Sequence, residues 1–117
     1  MSSGSFSGAI AETFGSIERA LTQIEEREEG DTELHHLRAD LLSLLELVER
    51  NSGIEAAVDD LYTSASVYVA ARKQVAEDGG GPPDHRRLRL LREARLRLSE
   101  RLAGAVPNEH ARRLGLS

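Results

Sequence analysis

The chain has no cysteine, no tryptophan and only four other aromatic residues, two Phe and two Tyr, in 117 positions. Without cysteine there is no disulfide, no thiolate nucleophile and no thiolate zinc site. So few aromatic faces argue against recognition of single-stranded nucleic acid, where bases stack on rings. No apolar run approaches the roughly 20 residues of a membrane span. The opening Met1-Ser2-Ser3-Gly4-Ser5 has neither the basic nor the apolar region of a secretion signal. A cytoplasmic protein without a membrane partner is the resulting expectation. Lysine is almost missing too: Lys73 stands alone against fourteen Arg.

What is present is aliphatic. Leu, Ile, Val and Phe make up about a quarter of the chain, above the level at which chains stay disordered, and the length suits one domain with one core. Ile10, Phe14, Ile17, Leu21 and Ile24 recur at spacings of four and three, which predicts a helix from about Gly8 to Glu28, capped by Ser5 or Ser7 and stopped by Gly30. Leu34, Leu37, Leu41, Leu44, Leu45 and Val48 form a second stripe after a capping Asp31, in a helix ending near Arg50. Ser52 and Glu55 read as a capping box that opens a third helix, and the short Asn51-Ser52-Gly53 link folds it back on the second. That third helix, with Ile54, Ala57, Val58, Leu61, Tyr62, Ala65, Tyr68, Val69 and Val75, has the widest apolar face and belongs near the centre.

Gly79-Gly80-Gly81-Pro82-Pro83 then breaks the chain. Beyond it Asp84 can cap a fourth helix that runs to about Leu102, with Gly104 past its end, and a tail after Pro107 adds one turn or stays mobile. The expected organisation is an acidic three-helix body (1–78), a linker (79–83), an Arg-rich helix (84–104) and a tail (105–117). The fold class is therefore all-α: an antiparallel bundle of three to four helices, assembled as a dimer. Ile17, Leu21, Leu41, Leu45, Val58, Leu61 and Ala65 should share one core.

Charge reverses at the same break. Residues 1–80 hold sixteen acids and six bases, residues 81–117 four acids and nine bases, so net charges near −10 and +5 combine to −5. Leu91, Ala94, Leu98 and Leu102 share one helix face. Around it stand Arg86, Arg87, Arg89, Arg92, Arg95, Arg97 and Arg101, with Leu90 and Leu96 also outside that stripe. These nine residues form the candidate interaction surface. Glu25, Glu26, Glu28 and Glu29 crowd the end of helix 1, where the helix dipole disfavours them. They form the candidate acidic docking surface. Docking of the Arg-rich helix on acidic helices is favoured, and phosphate of a nucleic acid is the alternative partner. Exposed ion pairs contribute under about 1 kcal/mol each, so leucines must supply most of the docking energy.

No residue pattern points to catalysis, a cofactor or a metal. Glu33-Leu34-His35-His36 holds one Glu-x-x-His, half of the pair that di-iron bundles use; both residues lie off the apolar stripe, and a solvated surface is the favoured reading. His85 and His110 read as ordinary polar residues. Asp59 and Asp60 are adjacent and so point about 100° apart on a helix, too divergent to share a proton. The triple glycine is followed by prolines, not by the Lys-Ser or Lys-Thr of a phosphate loop. The chain reads as a small non-enzymatic interaction module, an adaptor, chaperone or regulatory subunit. Its expected partner is a second copy, with an unidentified protein as a further partner.

Overall fold

The structure, a computed structural model, describes residues 5–26, 30–77, 79 and 85–116, the side chain of Ala76 excepted. The described residues form five helices, α1 (Phe6–Glu26), α2 (Asp31–Leu47), α3 (Ser52–Glu77), α4 (His85–Ala103) and α5 (Glu109–Arg113), packed together without a strand. Ser5 opens α1, its hydroxyl accepting from the Gly8 amide at 3.0 Å. Two predicted caps move by one residue. Asn51, not Ser52, caps α3, accepting from the Ile54 amide at 2.9 Å; an Asn carbonyl serves as well as a Ser hydroxyl, and the link geometry selects the earlier residue. Gly30 stands at the N-cap of α2 without a side-chain cap bond. Asp31, expected as that cap, is instead the first helical residue and pairs with Lys73 of α3. α2 also ends at Leu47, three residues before the predicted Arg50.

α1 to α4 alternate in direction. Ser16 donates to Asp40 at 2.6 Å across α1 and α2, Leu45 and Glu55 share one end of a groove whose other end holds Arg38 and Tyr62, and Arg97 reaches back to Asp60 across α3 and α4. α1 packs most extensively on α2, and α3 on α4; α3 also touches α2 and α1. The stripes meet in one cluster. Of the predicted core, Ile17, Leu21, Leu41, Val58, Leu61 and Ala65 are buried, joined by Leu91, Ala94 and Leu98 of α4, while Leu45 is half-buried at its edge. Gly30 is required by close approach: a Cβ there would lie 2.7 Å from Val69 Cγ2.

The tail adds α5 and is pinned at its start. Asn108 caps α5 by accepting from the Ala111 amide at 2.8 Å. Its side-chain amide donates to the Glu46 carbonyl at 2.7 Å and its backbone amide to the Leu47 carbonyl at 2.9 Å. These are carbonyls that the end of α2 would otherwise leave without partners. Ala111 is fully buried as a result. The linker is described only at Gly79, whose φ of 91° suits glycine; Gly80 to Asp84, including the predicted cap, lie outside the described residues.

Candidate interaction surfaces

α4 turns Leu91, Ala94 and Leu98 inward, the expected apolar face, and this fixes where its arginines go. Arg92 meets Glu25 of α1, with Nε and Nη2 at 2.9 and 2.7 Å from one carboxylate oxygen. Arg95 lies 3.6 Å from Glu18 of α1, and Arg97 3.2 Å from Asp60 of α3. Arg86, Arg87, Arg89 and Arg101 are exposed, and the Arg101 guanidinium passes over Gly53. Of the acidic group, Glu25 takes part in this network and Glu26 is exposed, while Glu28 and Glu29 lie outside the described residues. Glu18 was not singled out by sequence, and Asp60 stood out only as a neighbour of Asp59, not as an arginine partner; their signal was only a favourable position on the neighbouring helix.

Relief at the end of α1 comes from α3 as well. Arg72 donates to the carbonyl of Ile24 and, at 3.2 Å, to that of Glu25, placing a cation at the negative end of the helix dipole. Its guanidinium also lies 5.6 Å from the Tyr68 ring centroid. Arg72 carried no distinguishing spacing in the sequence.

Apolar side chains remain outside this core in separate places. Leu42 of α2 is 51% exposed, Leu90 and Leu96 of α4 are 44% and 59% exposed, and Val67 of α3 is 45% exposed. Leu90 joins Val67 in an outer groove of α3 and α4. Leu42 lies in a longer groove of about 330 Å³ between α2 and α3, with Leu41, Leu45, Val58 and Tyr62, edged by Arg38, Arg50, Glu55 and Asp59. A third groove of about 310 Å³, between α1 and α4, is floored by Phe6, Ile10, Phe14 and Leu102.

Glu33 departs from its expected surface position. It is buried, 6% exposed, in the first turn of α2, where a carboxylate faces the positive end of the dipole. His36, three residues on, is exposed, so the two do not converge. Asp59 and Asp60 diverge as their spacing requires, one edging the α2/α3 groove and the other pairing with Arg97. Among the described residues no group of three or more His, Cys, Asp or Glu side chains could hold a metal ion, and no helix is long and apolar enough to cross a membrane. Comparison with known proteins returns no matching family model, no matching curated protein and no matching solved structure.

Proposed function

We propose that this protein is a small helical protein–protein interaction module, of the adaptor, chaperone or regulatory-subunit kind, that acts as a homodimer. The observation that carries this reading is apolar: the helices bury their stripes against one another, yet the α2/α3 groove keeps Leu42 half exposed beside half-buried Leu45 and Tyr62. Single exposed leucines are ordinary, whereas a contiguous apolar strip with a polar edge is what association surfaces present. Light scattering at micromolar concentration should return about twice the 12.8 kDa chain mass. A monomeric mass at every concentration would remove the reading.

A nucleic-acid regulator that uses α4 is the second reading, supported by exposed Arg86, Arg89 and Arg101 on one short helix. Against it, Arg92, Arg95 and Arg97 are occupied by carboxylates of the same chain, and a net charge of −5 repels phosphate at a distance. Titration with duplex DNA separates the two. Tight binding that falls steeply with salt supports the nucleic-acid reading, and its absence supports the protein one.

A further inference from the structure

The α2/α3 groove has a charge pattern that its own chain leaves unsatisfied. Its edge on the α2 side is basic, Arg38 and Arg50, and its edge on the α3 side is acidic, Glu55 and Asp59. All four are exposed, and none has an ion-pair partner among the described residues. The other charged edge, between α1 and α4, is closed by Arg92–Glu25 and Arg95–Glu18. A strip that is basic on one side, acidic on the other and apolar between is complementary to itself, provided that the two sides exchange places.

Only one class of two-fold axis does this. An axis across the helices would lay α2 on the partner's α2, bringing Arg38 level with the partner's Arg50 and Asp59 level with the partner's Glu55, like on like. An axis along the helices lays α2 on the partner's α3 at unchanged height. The lining residues set Leu41 and Leu42 level with Val58 and Asp59 across the groove, so Arg38 and the partner's Asp59 differ in height by about 3 to 5 Å at 1.5 Å per residue. An arginine side chain spans that offset. Because α2 and α3 run in opposite directions, the helices so apposed are antiparallel, and each two-fold interface repeats every contact twice.

Resting on the self-association proposed above, we infer that the α2/α3 groove is the dimer face: a second copy seats its α2 on α3 about a two-fold axis parallel to the helices, Leu42 packs into the strip, and Arg38 pairs with the partner's Asp59.

The arrangement is tested by charge reversal in the full chain. Arg38→Glu places acid opposite acid twice per dimer, and Asp59→Arg places base opposite base twice. Each single variant should keep its helical circular dichroism, since both positions are exposed, and should dissociate about tenfold or more readily than the parent in sedimentation equilibrium. An equimolar mixture of the two should recover a dimer, now of unlike chains, and the double variant should recover one alone. Leu42→Glu, which does not depend on charge reversal, should also weaken the dimer. Single variants and Leu42→Glu that dimerise as the parent does would overturn this face while leaving self-association intact. Loss of the dimer without recovery in the mixture would overturn the axis. A parent chain that is monomeric throughout would instead overturn the function proposed above.

Discussion

Two kinds of seam run the length of this protein. The seams within α1/α2 and within α3/α4 are held by extensive packing, with only a smaller outer groove at Val67 and Leu90 of α3/α4, while those between the pairs, α2/α3 and α1/α4, open into larger grooves. The open seams differ from each other in turn. α1/α4 is bridged by Arg92–Glu25 and Arg95–Glu18 on one stretch and opens into the apolar groove of Phe6, Ile10, Phe14 and Leu102 on another. α2/α3 has Lys73–Asp31 at its far end, and among the described residues no ion pair joins the charges along its groove. Ion pairs thus bridge one open seam, and the charges along the groove of the other are left without such bridges among the described residues.

Removal of residues 81–117 should break the comparison most severely. It deletes Leu91, Ala94 and Leu98 from the core cluster, removes buried Ala111 and uncovers the side of α3 that packs on α4. A chain that loses α4 also loses one of its two closed seams. The truncated protein should aggregate or lose its cooperative thermal transition by circular dichroism; a sharp transition near the parent's would show that α4 is dispensable to the fold.

Leu41→Ala comes next. Leu41 is 2% exposed and its neighbour Leu42 is 51% exposed, so the pair compares a buried and an open position of one groove. Deleting the buried side chain should cost about 2 to 5 kcal/mol in urea unfolding, through lost transfer energy and a residual cavity. Leu42→Ala should cost within about 0.5 kcal/mol of folding stability under conditions where the chain is monomeric. Equal losses would mean that the groove is closed in solution.

Gly30→Ala probes the short connection between the first two helices. The added methyl meets Val69 Cγ2 at 2.7 Å and Cγ1 at 3.2 Å, and a β-branched side chain in a core has little freedom to yield. A loss of about 1 to 3 kcal/mol is expected from overpacking. Combination with Val69→Ala should recover part of that loss, which separates a steric origin from a backbone one.

How far the fold was legible follows from the range of the interactions. The stripes of α1, α2 and α4 are local periodicities, and they placed Ile17, Leu41 and Leu98 inside without reference to the rest of the chain. The starts of α2 and α3 were legible to within one residue, because Asn51 and Ser52 are both capable of capping and only the link geometry chooses. The pinned tail was not legible: Asn108 meets Glu46 at a separation of 62 residues, and no local pattern in Pro107-Asn108-Glu109 specifies that partner. The same holds for Arg72 at the end of α1, 48 residues away from Ile24. The excess arginine of α4 was visible as composition, but its partners Glu18 and Asp60 became identifiable only once helix directions and registers were known.

The smallest expected effect sharpens the contrast between the two open seams. The Arg92 side chain is 61% exposed while that of Glu25 is only 20% exposed, so water reaches the pair from the arginine side, where it screens the attraction, and both long side chains lose freedom on pairing. Arg92→Ala should therefore lower unfolding stability by under about 1 kcal/mol, and by less at high salt. Glu25→Gln should produce a similar change, and the double variant should lose little more than either single one, because the two residues contribute through a common interaction. Urea titrations of the four proteins at low and high salt measure this directly. A loss much above 1 kcal/mol that persists in salt would mean that α4 is held on α1 by this pair, and that its buried leucines contribute less than their packing implies.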